Sequence, residues 1–148
     1  MEHALAVVGP EDVTKDLVRE AGELAEGVDA KLTLLCVTSE EEYTEEREAL
    51  EAIPEADVSY SVEQALEGAR SFAKDVGIEV LGDLDVEYDT AGAVGDRTDI
   101  ILEGAENHGC DHIFLTGQRR SPTGKAIFGD VTQRVILDFE GPVTVVTA

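Results

Sequence analysis

ALAVVGPEDVTKDLVREAGELAEGVDAKLTLLCVT, Ala4 to Thr38, is the stretch that decides the fold. Ala4–Val8 is a continuous apolar run closed by Gly9-Pro10, the pattern of a strand buried on both faces. Glu11 or Asp12 is placed to cap a helix carrying Val13, Leu17, Ala21 and Leu24 at helical spacing, and Gly27 is expected to end it. Lys31–Thr38 is a second apolar run. Strand, helix and strand in succession form a βαβ unit, whose two strands run parallel.

Outward from this unit the alternation continues. Ser39–Val58 (SEEEYTEEREALEAIPEADV) has only Tyr43, Leu50 and Ile53 as an apolar stripe, and Pro54 stops it. It reads as a short, solvated helix or as a lid, and the sequence leaves both open. Ser61 and Gln64 form a Ser-x-x-Gln capping box before a helix with Val62, Ala65, Leu66, Ala69, Phe72 and Ala73 on one face. Ile78–Tyr88 alternates, with Val80, Leu84, Val86 and Tyr88 on one side. That pattern predicts a third strand with one wet face. Gly92 and Gly95 are expected to interrupt the chain before a helix over Arg97–His108, with Ile100, Ile101 and Ala105 inward. Asp111–Thr116 is a fourth strand, about Gly129 to Phe139 a helix, and the apolar run after Gly141-Pro142 a last strand. The expected fold is α/β: an open parallel five-stranded sheet of order 3-2-1-4-5, helices on both faces, Rossmann-like, with residues 1–148 as a single domain.

Composition narrows the function. The chain has 148 residues, of which 43% are hydrophobic, enough to bury a core without staples. Asp and Glu total 33 against 11 Lys and Arg, a formal net charge of -22. That charge opposes nucleic acid and anionic membrane surfaces as partners. Acid spread along the whole chain is the signature of a protein working in concentrated salt, where screening is strong. The start has no basic region before its short apolar run, no stretch approaches a membrane span, and Cys36 and Cys110 form no disulfide framework. A cytoplasmic protein is expected.

One stretch runs against the acidic background. From Thr116 to Leu137 the only acid is Asp130, while Arg119, Arg120, Lys125 and Arg134 are basic and glycines stand at 117, 124 and 129. In an open α/β sheet, ligands bind beyond the carboxyl ends of the strands where strand order reverses, here between the first and fourth strands. Glycines permit close backbone approach to an anion, a helix starting near Gly129 offers free N–H groups, and Arg119, Arg120 and Lys125 supply charge-assisted hydrogen bonds. The bland reading, basic side chains paired with neighbouring acids, stays open. Thr123-Gly124-Lys125 is not a Walker A loop: Arg119 stands at its first glycine and Ala126 where Ser or Thr would hold Mg²⁺.

Other constellations are weaker. His108-Gly109-Cys110-Asp111-His112 packs ligand-type residues together, but at the amino end of the fourth strand, away from the carboxyl edge. His3, His108 and His112 belong to that lower edge, and no metal site is assigned, since converging ligands would be required. No Ser/His/Asp or Cys/His spacing stands out, so no catalytic residue is assigned.

The order of elements and the last third of the chain resemble the universal stress protein family, in an acidic, archaeal-type form. The resemblance is carried by Gly95-Asp96 before a helix, Cys110-Asp111-His112-Ile113 entering a strand, Thr116-Gly117, Phe128-Gly129-Asp130-Val131-Thr132 and Gly141-Pro142-Val143-Thr144-Val145-Val146. It implies this α/β fold, binding of ATP or AMP (with Mg²⁺ for ATP) through a G-x2-G-x9-G-[ST] loop, and homodimerisation through the last strand, here Val143, Thr144, Val145 and Val146. Carried over by position, Gly117 is the loop's first glycine and Gly129 its last; Arg119, Ser121, Gly124, Lys125 and Val131 lie within or beside it. Arg120 replaces the second glycine, with the following spacing one residue short. Asp130 replaces the phosphate-binding Ser or Thr, leaving Thr132 and Ser121 as hydroxyl donors. Gly9 stands where ATP-binding members carry an Asp for the nucleoside, and Val37 where a backbone group meets adenine. An ionised Asp130 accepts but cannot donate, and it repels phosphate. The expected function is therefore a stress-type regulatory or protective domain with a degenerate nucleotide- or anion-binding loop over residues 117–132, and at most slow ATP hydrolysis. Alternatives are a non-nucleotide protein-interaction module, its partner unnamed, or a small-phosphate enzyme of the same superfamily.

Overall fold

The computed structural model describes residues 1–53, 61–117 and 128–147. Its strands are β1 (His3–Val8), β2 (Lys31–Thr38), β3 (Tyr88–Val94), β4 (His112–Gly117) and β5 (Val143–Thr147). Its helices are α1 (Val13–Val28), α2 (Glu40–Glu51), α3 (Val62–Leu81), α4 (Arg97–Asn107) and α5 (Asp130–Asp138). The sheet is parallel throughout in the order β3-β2-β1-β4-β5, so the expected topology holds.

Alternation along each strand builds two cores. Ala4, Ala6 and Val8 of β1, Leu32 and Leu34 of β2 and Phe114 of β4 pack against Leu17, Val18 and Ala21 of α1 and Ala73, Val76 and Leu81 of α3. Leu5, Leu35, Val37, Ile113 and Leu115 point the other way, onto Ile101 and Ala105 of α4 and Val135 of α5. The central strands are apolar on both faces because both are covered.

Three points depart from the sequence reading. The expected third strand over Ile78–Tyr88 is not one. The helix opened by the Ser61–Gln64 capping box runs on to Leu81, and β3 begins at Tyr88. The buried stripe Ala65, Ala69, Ala73, Val76, Leu81 keeps helical spacing to the end, which outweighs the local alternation of Val80 and Leu84. Val80, Leu84, Val86 and Tyr88 still border the first core, but from a helix end, a connection and a strand start. Gly92 does not interrupt the chain either; it lies inside β3, where α3 crosses closely. A Cβ there would come 2.4 Å from the Leu66 carbonyl oxygen and 2.5 Å from the Arg70 nitrogen. Similarly, α1 passes through Gly27 and ends at Asp29, which takes the left-handed conformation (φ 58°) that glycine often supplies.

The acidic segment forms α2, capped by Ser39 and with no buried residue. Asp111 fastens β4 to the chain start: its carboxylate accepts the Glu2 N–H at 2.9 Å and the His3 N–H at 3.3 Å. No described helix is long and apolar enough to cross a membrane.

Candidate functional site

The carboxyl edge of the sheet is shaped by three chain exits. β1 ends at Gly9, whose N–H donates to the buried Thr14 hydroxyl at 3.1 Å. After β3 the chain turns at Gly95 (φ 149°), a backbone geometry that L side chains rarely adopt; its N–H donates to the Thr38 carbonyl at 3.0 Å. Asp96 then caps α4 by accepting the Asp99 N–H, which sets Arg97 as the first helical residue on the rim. β4 ends at Gly117, and α5 starts after Gly129, whose lack of a side chain leaves the helix without a side-chain cap.

Three clefts open here, and Arg97 borders all of them. One, of about 390 Å³, is walled by Gly9 and Pro10, by Cys36, Val37 and Thr38 at the end of β2, by Ala65, Gly68, Ala69 and Phe72 of α3, and by the carboxylates Glu42 and Glu46 of α2. A second, of about 440 Å³, lies at the β1/β4 switch point between Glu11, Val13, Leu115, Thr116, Gly117 and the first turn of α5, Gly129–Thr132. The third, of about 560 Å³, lies under α2 and is lined by Glu40, Glu41, Glu42, Glu45 and Asp96 besides Arg97. The first two fall within the ordinary size of ligand sites. The third is rimmed by carboxylates and repels an anion.

Among the described residues, Arg97 is the cation of the rim. Its guanidinium donates to Glu42 Oε1 on α2, and both side chains are only part-buried, 35% and 45% exposed. Burial pushes the nearby Cys36 thiol up to about 11; Arg97 pulls it down and Glu42 pushes it up. A thiol held protonated is a poor nucleophile.

The expected residues fall into two groups. Gly9 and Val37 share the 390 Å³ cleft. Gly117, Gly129, Asp130, Val131 and Thr132 share the 440 Å³ cleft. Arg119, Arg120, Ser121, Gly124 and Lys125 lie outside the described residues. Two of the residues brought together serve packing as well. A Cβ on Gly117 would meet Val145 Cγ1 at 2.7 Å and Phe128 Cδ1 at 3.0 Å, so glycine is needed there whether or not a ligand approaches. The buried Thr132 hydroxyl is directed to the Thr116 carbonyl at 3.4 Å, tying α5 to β4. Gln133 Nε2 donates to the Phe128 carbonyl at 2.7 Å and braces the same turn.

Sequence reasoning missed Arg97. The signal was available: between Lys74 and Arg119 it is the only Lys or Arg in the chain. It also pairs with the acidic segment, through Glu42 of α2.

The histidines stay at the opposite edge. His3 Nε2 meets the Thr33 hydroxyl at 2.7 Å, and that hydroxyl donates to Asp89 Oδ1 at 2.6 Å. His112 turns to the Thr144 hydroxyl at 2.8 Å and stacks on Phe114, and burial lowers its pKa. His108 lines a separate cleft with His3. Among the described residues no three His, Cys, Asp or Glu side chains form a metal-ligand group.

A model of the universal stress protein family matches residues 1–147. The chain belongs to the universal stress protein family. This universal stress protein is similar in fold to UspA from Lactobacillus plantarum: TM-score 0.68 and 19% identity, over 98% of this chain and 97% of that one. It is likewise similar to a universal stress protein solved in complex with cAMP, with TM-score 0.66 and 16% identity over 99% and 96% of the two chains. A universal stress protein from Archaeoglobus fulgidus, solved in complex with dAMP, gives TM-score 0.54 and 19% identity over 98% and 96%. No curated protein matches the chain.

Proposed function

We propose that this chain is a regulatory or protective domain that binds an adenine nucleotide, or another phosphate-bearing anion, across the two clefts that meet at Arg97. The observation that carries the reading is their adjacency. A slot with Ala65, Ala69 and Phe72 on one wall and Glu42 and Glu46 of α2 at its rim, bordered by Gly9 and Val37, which the family resemblance assigns to the nucleoside, opens beside a helix N-terminus without a side-chain cap. One guanidinium borders both. Base and phosphate of one mononucleotide need that pairing of chemistries: apolar walls for the ring, N–H groups and a cation for the anion. The cAMP and dAMP complexes of structurally similar family members support the same ligand class.

Asp130 sets the expected preference. It lies in the first turn of α5, where a longer phosphate chain would run, so AMP is favoured over ATP unless Mg²⁺ bridges the charges. Binding rather than catalysis is the proposed role, because the Cys36 thiol is held protonated and the described histidines sit at the far edge. Working form and place are part of the proposal: a cytoplasmic homodimer, one domain per chain, in a salt-adapted host. β5 is the sheet's edge, part-exposed and without a charged side chain, which favours pairing with a second copy.

Gly68 provides a clean test. A Cβ there meets nothing within 4 Å, yet the residue lines the 390 Å³ cleft, so Gly68→Trp fills the cleft without crowding the fold. Calorimetric titration of AMP in molar KCl is expected to show binding at about micromolar strength for wild type and none for the variant. Equal binding by both would place the nucleotide elsewhere.

A further inference from the structure

We propose that Arg97 is the side chain that grips the ligand's anionic group, and that Glu42 is its resident competitor, so that anion binding and docking of α2 on the rim exclude one another. The inference rests on the nucleotide reading above and adds to it a named contact and a moving part.

Glu42 is positioned for this role. It is the third residue of α2; its N–H donates to the Ser39 hydroxyl at 3.1 Å, and that hydroxyl donates back to Glu42 Oε1 at 3.2 Å. The capping turn thus aims the carboxylate at Arg97, which donates to the same oxygen. No residue of α2 is fully buried, and Tyr43, Thr44, Arg47 and Leu50 are only half-buried, so the helix is seated shallowly on the rim. A half-exposed ion pair is a weak tether. A phosphate offers more charge than a carboxylate and a matching fork of oxygens, and so wins the guanidinium.

The surroundings make the exchange two-way. Once an anion neutralises Arg97, Glu40, Glu41, Glu42 and Glu45 face it across the 560 Å³ void with no cation among the other described residues lining it. Their repulsion drives α2 outward. With Glu42 seated, the same guanidinium is spent and the two ligand clefts lose their shared cation. α2 would then report the ligand: docked without anion, released with it.

The test uses the full chain in molar KCl, with AMP as probe, in wild type, Glu42→Gln and Arg97→Gln. Affinity is read by calorimetry, and amide hydrogen exchange is followed across α2 with α1 as internal control. Expected are AMP binding about 3- to 10-fold tighter in Glu42→Gln and about 10-fold or more weaker in Arg97→Gln. Faster exchange in α2, and not in α1, is expected on adding AMP to wild type and in Arg97→Gln without AMP. AMP binding that neither substitution alters overturns the inference and leaves the nucleotide reading standing. No AMP binding in any of the three proteins overturns both.

Discussion

Two glycines, one under α3 and one on its open side, should respond to the same substitution with opposite signs. Gly92 of β3 lies under α3, and a Cβ there would come 2.4 Å from the Leu66 carbonyl oxygen, 2.5 Å from the Arg70 nitrogen and 3.0 Å from Ala69 Cβ. Two of those atoms are helix backbone, so relief requires α3 to lift from the sheet. Overpacking of this kind costs about 1–3 kcal/mol, and two backbone collisions put Gly92→Ala near the upper end. At about 2–4 °C per kcal/mol for a chain of this size, the midpoint should fall by about 6–12 °C. Gly68 lies on α3 with open space at its Cβ. Gly68→Ala gains helix propensity worth about 0.8–1.0 kcal/mol, a rise of about 2–4 °C. Thermal unfolding followed by circular dichroism in molar KCl measures both. A Gly92→Ala midpoint equal to wild type would refute the close α3–β3 approach, and a Gly68→Ala midpoint below wild type would refute the open space at that position.

Ser61→Ala removes a cap whose hydroxyl accepts the Gln64 N–H at 3.2 Å, and a loss of about 1 kcal/mol in chemical denaturation is expected. Thr33→Val strips a fully buried hydroxyl from between His3 and Asp89; the same assay should show a loss of about 1–2 kcal/mol. The Glu2 and His3 N–H groups hold the Asp111 carboxyl below its ordinary value of 3.8, so this contact stabilises fully above that pH and fades as pH falls through the lowered folded value. Asp111→Asn should therefore have a lower urea midpoint than wild type at neutral pH, and the two should converge in acid. Asp130→Ser replaces an acceptor of like charge with a hydroxyl at the mouth of α5, and Mg-ATP affinity measured by calorimetry should rise by about 10-fold or more.

What the sequence revealed and what it hid follow from range. Ala4–Val8, Lys31–Thr38 and Asp111–Thr116 read as buried strands because a run apolar on both faces has few other uses, and strand order followed from parallel connection rules. The α3 boundary did not, because Ile78–Leu81 satisfies a helical stripe and a strand alternation equally until its packing partners are known. Gly92 was read as a break because the helix that requires a glycine there is distant in the chain. The switch-point location of Gly117 and Gly129–Thr132 was legible from topology, whereas Val37, which borders the neighbouring cleft with Gly9, was named only through the family resemblance. Arg97 stands out in the sequence as the lone cation between Lys74 and Arg119, but its place was not legible, because it is set only once α2, β1 and α5 are folded around it. Asp130 carried its meaning in its type alone: an acceptor at a position where a donor is expected.

The most direct test of the account is an amide-resolved NMR titration with AMP in molar KCl. It predicts saturable shifts at Val37, Thr38, Gly95–Arg97 and Gly129–Thr132, with α2 moving in step. Shifts confined to the opposite edge around His3, Asp89 and His108, or no shifts at millimolar AMP, would contradict it.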